Sequence, residues 1–104
     1  MHAPVISIDA MRTAAGQASS LLHVLANPDR LLLLCQLSQG EKSVSELEAL
    51  LDIRQPTLSQ QLGVLRSEDL VASRRDGKRM FYSIRDAKVL VLIATLYDLY
   101  CPKN

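Results

Sequence analysis

The most reactive groups in this 104-residue chain are two thiols, Cys35 and Cys101. A thiolate can hold a soft metal, attack sulfane sulfur or be oxidised. Each also has a plain reading, because free cysteine is commonly a small buried hydrophobe. That suits Cys35, inside the run Leu31-Leu32-Leu33-Leu34-Cys35. It suits Cys101 less well, since Pro102 follows and stops the preceding helix. Two cysteines do not make a secreted disulfide scaffold. His2 and His23 are too few and too isolated to build a convincing zinc site. No nucleophile–base–orienter set and no phosphate-cradling glycine loop is visible, so neither an enzyme nor a cofactor is expected.

A second chemistry is recognition. Gln55-Pro56-Thr57-Leu58-Ser59-Gln60-Gln61 carries amides and hydroxyls. Gln reads adenine through paired hydrogen bonds, and Ser or Thr bonds to base edges or phosphates. A helix start there offers free backbone N–H groups to phosphate. Arg74, Arg75, Lys78 and Arg79 follow on a hairpin and can grip the backbone or a minor groove. The formal net charge of +1, from 12 Lys+Arg against 11 Asp+Glu, hides this segregation. Glu41, Glu46, Glu48 and Asp52 crowd one segment; Arg54, Arg66 and the hairpin cations dominate the next. A solvated helix beside an ordinary charged hairpin explains any one of these residues. The constellation as a whole favours double-stranded DNA over an interaction module that binds none.

The elements that must position these groups read clearly. Ile8 to Ala26 is helix-like, with Met11, Ala14, Ala15, Ala18, Leu21, Leu22 and Leu25 at helical spacing. Asn27 as cap and Pro28 at the first helical position open a second helix to about Ser38, apolar around much of its circumference. Ser43-Val44-Ser45-Glu46 is a capping box opening a third helix, with Val44, Leu47, Leu50 and Leu51 as its apolar stripe. Pro56 opens a fourth, to about Arg66, with Leu58, Leu62 and Leu65 inward. Strands at 70–75 and 79–83 flank Asp76-Gly77, a hairpin signal. A last helix runs from about Asp86 to Tyr100, with Val89, Leu90, Ile93, Leu96, Tyr97 and Tyr100 as its apolar face. The predicted fold is mainly α (α+β): a winged helix-turn-helix of five helices with a β-hairpin wing between the fourth and fifth. It occupies one domain over residues 9–101, after a flexible tail at 1–8. A domain this small buries only about two-thirds of its extended surface, which favours dimerisation. The N-terminus lacks the pattern of a signal peptide, and no apolar run reaches a membrane span of roughly 18–20 residues, so a cytoplasmic protein with no membrane partner is expected.

The stretches LLHVLANPDRLLLLCQL, SVSELEALLDIRQPTLSQQLGVLRSEDLV and SRRDGKRMFYSI together resemble the ArsR/SmtB-type family of bacterial winged helix-turn-helix regulators, over about Ala18 to Cys101. The resemblance implies a homodimer built on the first and last helices, with two recognition helices in successive major grooves of an inverted repeat. It implies a repressor that occupies a promoter and is released by an inducer. On the family pattern Gln55, Thr57, Ser59, Gln60 and Gln61 are recognition positions. The family often has His where Gln61 stands and Ser where Arg54 stands; these departures alter the operator rather than the fold, and Arg54 is a poor cap.

The family's arsenic-type Cys-x-Cys falls on Ser43 and Ser45, and its zinc-type last helix falls on Asp86-Ala87-Lys88 with no later histidine. The two cysteines instead resemble the dithiol, sulfide- and redox-responsive branch. One cysteine follows LLxx in the second helix and the other follows the pair Leu99-Tyr100. That resemblance implies that reactive sulfur species or oxidants link Cys35 and Cys101 and release DNA. The wing departs from the branch, with Asp76-Gly77-Lys78-Arg79 where Glu-Ala-Gln-Thr is common. A metal-responsive repressor using the thiols, and a regulator whose cysteines are only structural, remain the alternatives.

Overall fold

The computed structural model describes residues 7–102. Its elements are α1 (Ile8–Leu25), α2 (Pro28–Leu37), β1 (Lys42–Ser43), α3 (Val44–Leu51), α4 (Thr57–Ser67), β2 (Val71–Asp76), β3 (Arg79–Ile84) and α5 (Ala87–Tyr100). This is the winged helix-turn-helix order expected. The flexible tail expected at 1–8 lies mostly outside the described residues. Of the two inside, Ser7 caps α1 by accepting from the Ala10 N–H, and Ile8 begins the helix.

Local chemistry sets the helix starts. Asn27 Oδ1 accepts from the Arg30 N–H at 3.1 Å, with Pro28 at the first helical position. Ser43 and Glu46 form a reciprocal capping box, satisfying two N–H groups that α3 cannot bond internally. Asp52 ends α3 in the left-handed region, at φ 53°. Asp86 caps α5. Pro56 gives α4 no side-chain cap; Gln55 Oε1 does so from one residue further back, accepting from the Ser59 N–H at 3.1 Å.

The wing differs in two respects from its sequence reading. Asp76 pairs with Arg79, so the two-residue loop is Gly77-Lys78, one residue beyond the expected Asp76-Gly77. Gly77 has φ 64° at the first loop position, where a type II′ turn needs a glycine. There is also a third strand. β1 pairs antiparallel with β3, Ser43 opposite Phe81, giving the order β1-β3-β2. Two residues are too few to show an alternating pattern.

α2 lies at the centre of the core, with Leu33, Leu34 and Leu37 buried. Leu47 of α3, Leu58, Leu62 and Leu65 of α4, and Val89 and Ile93 of α5 close round it. Several positions on the apolar faces read from the sequence are not buried. Met11, Ala14, Ala15, Ala18 and Leu22 of α1 are exposed; Val24 and Leu25 enter the core and Leu21 packs against it. On α5, Leu90, Tyr97 and Tyr100 are exposed, as are Leu50 on α3 and Leu32 on α2. The two long helices have the amphipathic spacing of core helices, but among the described residues much of each stripe is left uncovered. The radius of gyration, 15.8 Å, exceeds the roughly 13 Å of a compact 100-residue domain, as suits helices reaching beyond the body. Among the described residues no helix is long and apolar enough to cross a membrane.

Candidate DNA interface and thiol pair

α4 presents chemically distinct faces. Leu58, Leu62 and Leu65 turn into the core, so the 3.6-residue period places Ser59, Gln60 and Gly63 on the exposed side. Thr57 and Gln61 are half-buried on a flank. Gln61 Oε1 accepts from Arg30 Nη1 at 2.9 Å. Gln55 spends its side-chain oxygen on the cap. Arg54 is exposed at the turn, 3.7 Å from an equally exposed Asp52, a pair of little energetic weight.

On the hairpin, residues alternate between faces. Arg74 lies opposite Phe81, and Arg79 lies two residues before it on the same face. Both guanidinium groups sit over the Phe81 ring, at 4.7 and 4.9 Å from its centroid. Arg74 donates to both Glu41 oxygens, at 2.8 and 2.6 Å. Arg79 donates to Ser43 Oγ at 3.1 Å and lies 3.7 Å from Glu46. The hydrogen bonds from Arg74 hold the Glu41 carboxyl below its ordinary value. The Ser43 N–H and hydroxyl do the same for Glu46, with Arg79 helping. Arg75, opposite Met80 on the other face, and Lys78 at the tip are exposed, with no carboxylate partner among the described residues. Two of the four expected wing cations are thus tied down and two are open.

The fold brings the two ends of the chain's thiol chemistry towards each other. Cys35 is half-buried on α2; Cys101 is exposed and caps α5, its N–H donating to the Tyr97 carbonyl at 2.9 Å. Both are free thiols. Burial pushes the Cys35 pKa above its ordinary value, and the Cys101 sulfur is near enough to push it the same way electrostatically. A cavity of about 510 Å³ between α2 and α5 has Cys35, Gln39, Ile93 and Tyr97 in its wall. Ser43 Oγ, 3.2 Å from Ser45 Oγ, is committed to the α3 cap and to Arg79.

Sequence reasoning missed Arg30, Glu41 and Phe81. Arg30 gave no local signal, because its contact with Gln61 spans 31 residues. Phe81, as the sole phenylalanine and next to an Arg-rich hairpin, could have been flagged as a platform for cations.

Helix-turn-helix, hairpin wing and polar α4 define a winged helix-turn-helix protein. Residues 27–73 match the family described as bacterial regulatory protein, arsR family. The chain is 53% identical over 96 residues to the biofilm growth-associated repressor of Agrobacterium fabrum, covering 92% of this chain and 82% of that protein. The crystal structure of the transcriptional repressor BigR from Xylella fastidiosa superposes with a TM-score of 0.87 at 44% identity, over 94% of this chain and all of that one. Reduced HlyU from Vibrio cholerae gives 0.86 at 37% identity, over 91% of this chain and all of that one. The chain belongs to the arsR family of winged helix-turn-helix regulators.

Proposed function

We propose that this chain is a transcriptional repressor that binds an inverted-repeat operator as a homodimer and lets go when its two thiols are linked. The observation that carries the reading is the thiol pair: two free cysteines on α2 and at the end of α5, in electrostatic reach of each other, in a chain that is otherwise a DNA-binding fold. The names of its relatives, a biofilm growth-associated repressor and BigR, support repression.

Residues 9–101 act as one domain. α1 and α5 pair with their copies in the partner, covering the exposed apolar stripes, and α4 enters the major groove. Ser59, Gln60 and Gln61 meet base edges; Gln55, Thr57 and Arg54 serve at its margins; Arg74, Arg75, Lys78 and Arg79 hold the backbone or minor groove. Arg74 and Arg79 exchange Glu41 and Glu46 for phosphate, while Arg75 and Lys78 need no exchange.

Cys101 is exposed and reacts first; Cys35, kept as a thiol by burial, resolves. The Cys101 thiolate attacks the outer sulfur of a persulfide, forming Cys101–S–SH and releasing the donor's thiolate. Cys35 then attacks Cys101 Sγ as its proton passes to the departing hydrosulfide, forming a Cys35–Cys101 disulfide and releasing hydrogen sulfide, so two thiols are oxidised and one sulfane sulfur is reduced. With a longer polysulfide the bridge retains extra sulfur; with peroxide a sulfenic acid forms first and water leaves. Cytoplasmic reductant reverses the link. A link between α2 and α5 shifts the elements that carry α4 and the wing.

The test is gel-shift titration of promoter fragments by protein that is reduced, treated with polysulfide, or loaded with metal, with mass spectrometry of each state. Binding when reduced and loss on treatment, with the Cys35 and Cys101 peptides linked, is expected. Release by metal alone would replace the sulfur reading with a metal one. No binding to any fragment would favour an interaction module.

A further inference from the structure

The Arg30 guanidinium joins three helices. Its Nε donates to the Val24 carbonyl at 2.6 Å, and its Nη1 donates to Gln61 Oε1 at 2.9 Å. Val24 is in the last turn of α1, whose final carbonyls have no partner within the helix. A cation there fills a vacant acceptor and meets the negative end of the helix dipole. Arg30 itself is anchored in the first turn of α2, where Asn27 accepts from its N–H.

This contact decides which way the Gln61 amide faces. A guanidinium carries donors only, so the amide end that meets it is the oxygen. Gln61 Nε2 has no hydrogen-bond partner among the described residues. Gln61 is half-buried, yet no buried side-chain nitrogen or oxygen lacks a partner, so Nε2 is open to solvent. The outward end of Gln61 is therefore a donor. A glutamine that reads adenine needs both ends, its oxygen accepting from N6 and its nitrogen donating to N7. Held by Arg30, Gln61 has its oxygen turned inward, and only the donor is left for the groove.

We propose that Arg30 is a positioning residue for base recognition: it holds Gln61 with its donor outward, so that Gln61 favours an acceptor edge, guanine or thymine, over adenine. This rests on the reading of α4 as the DNA-reading helix. The choice of base at one position of each half-site is then set by a residue on α2.

The test is selection from random-sequence duplex DNA by the reduced full-length protein and two variants. Gln61→Glu still accepts from Arg30, so the inter-helix contact survives, but the donor is gone. Arg30→Leu frees the amide to turn. The wild-type sites are expected to carry guanine or thymine at one position in each half. Gln61→Glu loses that preference by about fivefold or more, and Arg30→Leu gains adenine there, the other positions holding. Wild-type adenine at the position that responds to Gln61, or variants that change affinity alone and leave every base preference intact, would overturn the assignment. Should Arg30→Leu fail to fold, Gln61→Glu decides alone. No enrichment by the wild-type protein would instead overturn the DNA-reading account itself.

Discussion

Arg74 and Glu41 show how one residue's apparent role changes once its partner is known. Read from sequence, Arg74 is a free cation on a wing. In the fold it donates two hydrogen bonds to an exposed carboxylate and lies over Phe81. The pairing lowers the Glu41 pKa below its ordinary 4.5. A carboxylate with a lowered folded pKa contributes stability above its unfolded pKa and loses it as pH falls through the folded value. Glu41→Gln removes that titration. The melting temperatures of wild type and Glu41→Gln should therefore differ at neutral pH and converge as pH drops below about 4.5. A gap that stays constant from neutral to acid pH would show that the pair contributes nothing. Both side chains are exposed, so the effect is small and screened by salt. Cys35 shifts in the opposite direction. Its pKa is raised, so its contribution is fully present below the ordinary 9.0 and is lost as pH rises from there through the raised value.

At the scale of elements, packing of α4 matters most, because it aims the residues proposed to read DNA. Leu58, Leu62 and Leu65 are buried to 1% exposure or less. Leu62→Ala should cost about 2–5 kcal/mol of folding stability, measurable by urea denaturation. A loss below about 1 kcal/mol would mean that α4 is not seated as described. What was legible in the sequence follows from range. The caps at Asn27 and Ser43 read correctly because a cap is decided within three residues. The inward leucines of α4 read correctly because they repeat at helical spacing. β1 did not, since its two residues become a strand only by pairing with β3, far along the chain. Arg30 with Gln61, Arg74 with Glu41 and Arg79 with Ser43 lie 31, 33 and 36 residues apart, and no local pattern announces such contacts. The recognition segment was therefore visible as a composition, while the division of its polar groups into engaged and open ones was not.

For the whole molecule, α1 and α5 were legible as amphipathic helices, but their spacing alone did not say where their apolar faces go. A stripe covered by a partner has the same spacing as one covered by the chain's own core. Leu90, Val91, Tyr97 and Leu99 of α5 are exposed, together with Met11 and Leu22 of α1, an unusual amount of large apolar surface for a monomer. On the homodimer reading, Leu90→Glu places a charge in a desolvated interface. It should move the protein from dimer to monomer in sedimentation, and weaken operator binding with it. A stable Leu90→Glu dimer would place the interface elsewhere.

The proposed switch belongs to this scale too, because it would join α2 to the end of α5 across the fold. The most direct measurement is fluorescence anisotropy of a promoter duplex titrated with wild type, Cys35→Ser and Cys101→Ser, each reduced and then treated with polysulfide. All three should bind alike when reduced. Treatment should weaken the wild type at least about tenfold, which is 1.4 kcal/mol, and leave both variants bound. Release of either single-cysteine variant to the same extent as the wild type would contradict the dithiol account.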